Sequence, residues 1–443
     1  MLLATRLCTH FALAATCVAG ADAALPRRAV AQSGAIGSLP GSLVPEAARI
    51  RPGVPFDVDA ATDAWLATIP PEKRARSDAY YEGGYWIGFW MFLLGAAIAL
   101  ITLQLGWSRR LRDWAERRSG RPWVAAFLYY AGFVLLVSVL SFPFGVYTGF
   151  VREHAYGLAT QSFGGWMRDQ LVGLGVSIVL GGIAVATLYA VLRRLPRTWP
   201  VWGAAVSIAF LVAAALIGPV FIAPLFNKYT PLEDPRIRDP ILRLARANGV
   251  AAQDVWVMDA SRQTTRVSAN VSGLLGTERI TLNDNLLRRA SPPEIEAVMG
   301  HELGHYVLHH VYVHILFLAL LVLAGFAFVR WGFERAATRW GPRWGIRGIG
   351  DPAGMPLLWL LFSVYGFVTN PLVATFTRAQ EAAADLFALN AARQPDAEAL
   401  VMLKLADYRK LDPGPLEELI FFDHPSGRSR IRMAMQWKAE AAR

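Results

Sequence analysis

The chain has 443 residues, of which 54% are hydrophobic and only 18% charged, with a mean hydropathy of +0.33. This excludes an ordinary soluble enzyme of that length and requires much of the chain to sit in lipid. Net charge is +10, but Lys and Arg gather in short clusters beside apolar runs rather than in one groove-lining stripe, which suits membrane topology and excludes a nucleic-acid partner.

Residues 1–24 carry Arg6, an apolar run from Leu7 to Val18 and the small-x-small triplet Ala21-Asp22-Ala23. They read as a secretory signal or an uncleaved amino-terminal span. Both cysteines, Cys8 and Cys17, lie here, so the rest of the chain has neither disulfide nor cysteine-ligated metal. Residues 25–83, rich in Pro, Gly and Ala, read as a surface segment with one short helix at 59–69.

Four apolar runs of spanning length follow, at 85–107, 123–147, 171–192 and 201–222, and define a membrane domain over 84–222. Residues 223–310 have water-soluble character, with a helical pattern at 235–248 ending at Gly249 and short strands at 254–258, 264–271 and 279–282. Two further spans, 311–329 and 356–376, fill 311–376 with their connecting loop. Residues 377–443 are again water-soluble, with helices at 377–392, 397–411 and 426–442.

The chain's chemistry is concentrated around residue 300. Ser291 caps a helix, Pro292 takes its first position and Glu294 completes a Ser-x-x-Glu box. Ten residues after the cap comes His301-Glu302-Leu303-Gly304-His305. Helical spacing puts the two imidazoles on one face, one turn apart, where they can grip a tetrahedral Zn2+. Glu302, beside the first, can take the proton of a zinc-activated water.

Two histidines leave a zinc site incomplete. A third His at position 311 would make a metzincin, but the residue there is Val311. The alternative is a carboxylate on a second helix, and Glu381 and Asp385 lie one turn apart in Gln380-Glu381-Ala382-Ala383-Ala384-Asp385. Glu381 can ligate the metal while Asp385 bonds the far ring nitrogen of a ligand His. The alanines between them let the two helices approach closely. His424, in a loop before the last helix, is the candidate donor to a tetrahedral oxyanion, with Arg430 holding it or sharing that charge. His309, His310 and His314 read as interfacial, because each would exceed a normal zinc shell.

With these residues assembled, the chain resembles the type I CAAX prenyl protease family of integral-membrane zinc metallopeptidases, relatives of the bacterial heat-shock membrane proteases. The matching pieces are Pro224-Leu225-Phe226-Asn227-Lys228-Tyr229-Thr230-Pro231-Leu232, Arg279-Ile280-Thr281-Leu282-Asn283-Asp284-Asn285-Leu286-Leu287, the HExxH, Glu381 with Asp385, and His424-Pro425 followed by Arg430-Ile431; Tyr147 to Asp169 also resembles the family's second interhelical loop. The resemblance implies a mainly α, polytopic helical membrane protein. Its gluzincin-like zinc domain, with a small β-sheet, is split between 223–310 and 377–443. It further implies ligands His301, His305 and Glu381, base Glu302, a supporting Asp385, oxyanion assistance from His424 and Arg430, and a peptide or protein substrate, possibly lipidated. The family presents an Asn-Ala-Tyr strand to substrate; this chain has Ser268-Ala269-Asn270 there, which keeps main-chain pairing and changes the side chains.

Orientation divides the two lines of reasoning. Dense arginine after the first, third and fifth spans puts those segments in the cytoplasm and the zinc domain on the opposite face, as for a bacterial inner-membrane protein with an exported site. The resemblance implies a cytosolic zinc domain. Two rival functions share the motifs: a general membrane quality-control protease, and a zinc-bound scaffold without catalysis. Glu302 argues against the scaffold, which has no use for a base between its ligands.

Overall fold

The computed structural model describes residues 38–272 and 278–442, so the candidate signal at 1–24 lies outside the described residues. In chain order the helices are α1 (Val58–Leu66), α2 (Pro71–Gln104), α3 (Trp107–Arg118), α4 (Pro122–Ala155), α5 (Phe163–Arg194), α6 (Trp199–Leu225) and α7 (Pro235–Ala247). They continue as α8 (Asp284–Arg289), α9 (Pro292–Val307), α10 (His310–Trp344), α11 (Met355–Ala392), α12 (Pro395–Leu405), α13 (Pro415–Phe421) and α14 (Gly427–Ala441). Six of them, α2, α4, α5, α6, α10 and α11, are long and apolar enough to cross a bilayer.

The spanning helices run well past the apolar runs that announce them. At 35 residues α10 is about 50 Å long, against a hydrocarbon core of about 30 Å. Arg330, Arg335, Arg339 and Arg343, expected in a loop, lie on this extension, where Arg330 pairs with Glu334 one turn on at 3.0 Å. Likewise the helix expected at 377–392 is the far end of α11, because Phe376 to Ala392 contains neither Gly nor Pro to stop it.

The segment 25–83 is not merely a surface segment. Asp57 caps α1 by accepting from the backbone N–H of Asp59 and Ala60, both at 3.0 Å. Ala61, Trp65, Leu66 and Ile69 then fall on one face and enter a core with Leu389, Met402, Ile431, Ala434 and Met435. Trp65 is only 1% exposed. Arg428 to Asp63 at 2.7 Å and Arg432 to Asp59 at 2.8 Å close the rim between α1 and α14. The short helix expected at 59–69 forms over Val58–Leu66, and its apolar face is the partner that the last helix needs.

Strands β1 (Tyr229–Pro231), β2 (Val255–Met258), β3 (Ala269–Ser272) and β4 (Arg279–Asn283) form one sheet in the order β1-β2-β4-β3. β2 and β4 are parallel and the other pairs antiparallel, leaving β3 at an edge. The strand expected at 264–271 begins only at Ala269. Upstream, side-chain amides take the carbonyls that a neighbouring strand would use: Asn285 Nδ2 donates to the Thr264 carbonyl at 2.7 Å, and Asn283 Nδ2 to that of Arg266 at 2.8 Å. β1 has no sequence signal, being three residues ending in Pro231.

Candidate metal centre

Two helices build the centre. α9 starts as its cap predicts, with Glu294 Oε2 accepting from Ser291 N at 2.8 Å and Ser291 Oγ at 2.6 Å. It carries His301, Glu302 and His305, while α11 carries Glu381 and Asp385. A Cβ on Gly300 would lie 3.1 Å from Ala388 Cα, and one on Gly304 3.2 Å from Ala384 Cα. Glycine on one helix and alanine on the other thus set the separation at which the carboxylate can meet the imidazoles.

There, His301 Nε2 lies 3.2 Å from Glu381 Oε2, His305 Nε2 3.5 Å from Glu381 Oε1, and the two Nε2 atoms 3.1 Å apart. Ligand atoms on a tetrahedral zinc sit about 3.3 Å from one another. Glu381 Oε2 is buried without a hydrogen-bond partner. Burial alone would lower the His301 pKa, but the carboxylates of Asp385 and Glu381 raise it to about 10. Three convergent lone-pair donors, one orphaned and all in negative surroundings, fit a divalent cation.

Each imidazole is held from behind. His301 Nδ1 meets Asp385 Oδ1 at 2.8 Å, and Asp385 accepts in turn from Arg430, which is 6% exposed. The Arg430 guanidinium also lies 3.6 Å from the carboxylate of Glu398, whose pKa burial raises. Instead of standing with His424 as expected, Arg430 sits behind His301, drawn there by two buried carboxylates.

His305 Nδ1 lies 3.0 Å from His310 Nδ1. On a continuous helix, residues five apart point in different directions. Here His309 takes a left-handed conformation, with φ 54°, and ends α9, so the chain turns and brings His310 back beneath His305. His310 and His314 are 4% and 2% exposed, so both are packed inside the protein at the start of α10 and neither is among the three convergent ligands.

Glu302 is half-buried on the same helix; burial raises its pKa, against the charges of His301 and His305. His424 Nε2 lies 3.3 Å from Glu381 Oε2, and its Nδ1 faces Asp423 Oδ1 at 2.7 Å. Arg378, one turn before Glu381, pins the His424 loop by donating to the carbonyls of Glu418 at 2.8 Å and Phe422 at 2.6 Å. Neither Arg378 nor His310 had a sequence signal, because both act through contacts that only the fold creates. β3 packs against α9, with Ala269 and Val271 on the core that includes Ile295 and Met299. Ser268 precedes the strand, its carbonyl accepting from Asn283 N at 2.9 Å.

Long apolar helices bearing a two-helix His/Glu cluster with a carboxylate beside it define a class, the polytopic membrane metallopeptidases. Residues 231–438 match the model of peptidase family M48, and residues 59–228 match that of the CAAX prenyl protease N-terminal region of five membrane helices. Between them the two matches take in most of the sequence, and the chain belongs to peptidase family M48. It is 29% identical over 372 residues to the uncharacterized metalloprotease YhfN of Bacillus subtilis, covering 83% of this chain and 86% of that protein. The CAAX prenyl protease 1 homolog of Arabidopsis thaliana is 28% identical over 314 residues, 69% of this chain and 72% of that one. CAAX prenyl protease 1 of Saccharomyces cerevisiae is 32% identical over 197 residues, 44% and 43% of the two chains. The crystal structure of S. mikatae Ste24p shares the fold, with a TM-score of 0.68 at 21% identity over 83% of this chain and 89% of that chain. The protein is thus an integral-membrane metalloprotease acting on peptide or protein substrates.

Proposed function

We propose that this metalloprotease is a zinc endopeptidase whose ligands are His301, His305 and Glu381. The observation that carries the reading is the convergence of those three ligand atoms, all within 4.8 Å of one another, on the helix pair that also bears Glu302. His301, His305 and Glu381 would hold the zinc, and the chemistry it would supply is a bound water of pKa about 7 and polarisation of the scissile carbonyl. Glu302 takes the proton of the attacking water and delivers it to the leaving nitrogen. His424, oriented by Asp423, donates from Nε2 to the developing oxyanion. Asp385 fixes the His301 ring and Arg430 fixes Asp385, so Arg430 acts on the metal site rather than on the oxyanion. The substrate lies extended along β3, bonding main chain to main chain at Ala269, whose backbone groups face away from β4, while Asn270 is held in the ladder with Thr281 and Ser268 stands at the entrance.

The arginine-bearing ends of α5 and α10 mark the cytoplasmic side of a bacterial inner membrane. α10 runs from the metal centre at His310 to that arginine-bearing end, which puts the catalytic domain outside. Several relatives are named for CAAX prenyl substrates, but an external site does not meet a cytosolic prenylated tail. The substrates in this reading are exposed ends and loops of membrane or exported proteins, as quality control requires. Alkaline phosphatase fusions test it: activity at Gly249 and none at Gly341 is expected, and the reverse pattern contradicts the orientation. Substrates trapped on Glu302→Gln in native membranes then identify the cleavage sites.

A further inference from the structure

Far from the metal centre, α4, α5, α6, α10 and α11 enclose an apolar cavity of about 350 Å³. Phe133, Val185, Leu188, Phe326, Met355 and Phe362 are among its walls. Two hydroxyls in this lining, Tyr189 Oη and Ser138 Oγ, are buried without a hydrogen-bond partner, and Tyr189 is 2% exposed. An unmet buried hydroxyl is costly, so an apolar cavity that keeps two of them is built for a ligand mostly apolar with a polar atom to offer. Along α5 the lining extends from Leu192 to Ser177, about 22 Å by helical rise, which exceeds one leaflet's ~15 Å share of the ~30 Å hydrocarbon core and gives an acyl chain room to lie along it. Tyr189 lies about 8 Å from Arg194, the charged end of α5.

Trp199 forms a wall of this cavity and also of an open basin of about 480 Å³ at the arginine-bearing end. The basin is lined by Arg330, Arg347 and Thr338. Glu334 lines it too and pairs with Arg330 at 3.0 Å, while Arg347 pairs with Glu116 at 2.9 Å. Arg193, Arg194 and Arg197 follow close by in sequence, so the excess charge at this end is positive.

We propose that the membrane domain holds one anionic glycerophospholipid here, its phosphate in the basin at Arg330 and Arg347 and one acyl chain in the cavity. The Tyr189 hydroxyl then donates to an ester carbonyl, which lies just below the headgroup, and Trp199 sits at the boundary between the two regions. A lipid attached to a substrate beside its scissile bond is a different ligand: from Phe362 to Glu381 is nineteen residues of α11, about 28 Å. The inference therefore stands independently of the peptidase reading.

The test uses the full-length protein purified in detergent, exchanged against phosphatidylglycerol or phosphatidylcholine and read by native mass spectrometry, with inorganic phosphate as a competitor. One phosphatidylglycerol per chain is expected to survive washing that strips phosphatidylcholine, and to resist millimolar phosphate. Leu188→Trp, which fills the cavity, lowers that occupancy at least tenfold, and Tyr189→Phe, a deletion of one atom, speeds lipid loss several-fold. Arg330→Gln with Arg347→Gln abolishes the preference for phosphatidylglycerol. Equal retention of both lipids by the wild type, displacement by phosphate alone, or Tyr189→Phe and Leu188→Trp chains that hold lipid like the wild type would each overturn the proposal.

Discussion

His310 Nδ1 sits 3.0 Å from His305 Nδ1, so one histidine orients another where a carboxylate or carbonyl commonly does so. The arrangement depends on the left-handed turn at His309 and on the burial of His310. His310→Ala is expected to weaken metal binding by roughly 10–100-fold, the usual effect of losing such a partner. Competition with a calibrated chelator measures it; unchanged affinity would assign His310 to packing alone.

Arg430 separates two roles. As the support of Asp385, its replacement by Met weakens metal affinity together with kcat/KM and destabilises the protein by roughly 3–5 kcal/mol, because Asp385 and Glu398 are left buried without their cation. As an oxyanion donor it would lower kcat with metal affinity intact. Arg430→Lys recovers part of both quantities in the first case, since an ammonium keeps the charge but not the planar fork.

The contact between α9 and α11 leaves no room for a side chain at residue 304. Gly304→Val places its Cβ 3.2 Å from the Ala384 carbonyl oxygen and 3.1 Å from Phe387 Cδ1. An overpacking cost of about 1–3 kcal/mol is expected, with Glu381 pushed off the imidazoles. Thermal unfolding and metal content of the variant should therefore fall together, whereas Gly41→Val, in open space, changes neither.

Glu296 is 3% exposed, and burial raises its pKa from 4.5 despite the bond from Gln394 Nε2 at 3.1 Å. The protonated form suits the fold, so its contribution is complete below pH 4.5 and is lost as pH rises through the raised folded value. Glu296→Gln keeps the hydrogen bond without the charge. It should stabilise the protein at pH 7 by on the order of 1 kcal/mol, with the gain vanishing below about pH 4.5 in denaturation curves.

The centre was legible in the sequence to an unusual degree because its parts are local. A cap, an HExxH and a Glu-x-x-x-Asp each announce themselves within one or two helical turns, and alanine beside the second told of close approach. What escaped detection depends on distant pairing. The helix at 59–69 shows in the sequence, but the burial of its Trp65 depends on α14, which covers it. The 264–268 segment has the residues of a strand, but the amides of Asn283 and Asn285 take the carbonyls of Thr264 and Arg266, and Thr264 bridges to Ala159 instead. Helix ends were misplaced for a simpler reason: hydropathy marks where the apolar run stops, whereas α10 continues past it on arginine and glutamate and α11 continues into the catalytic domain on alanine and buried carboxylates.

The account rests on one cation shared by α9 and α11 with a base beside it, and zinc content measured alongside peptide cleavage tests it most directly. Purified Glu302→Gln should carry about one zinc per chain, like the wild type, while cleaving at least ~100-fold more slowly. Glu381→Ala should carry almost none. A Glu302→Gln protein as active as wild type, or a Glu381→Ala protein that keeps its full zinc, would contradict the account.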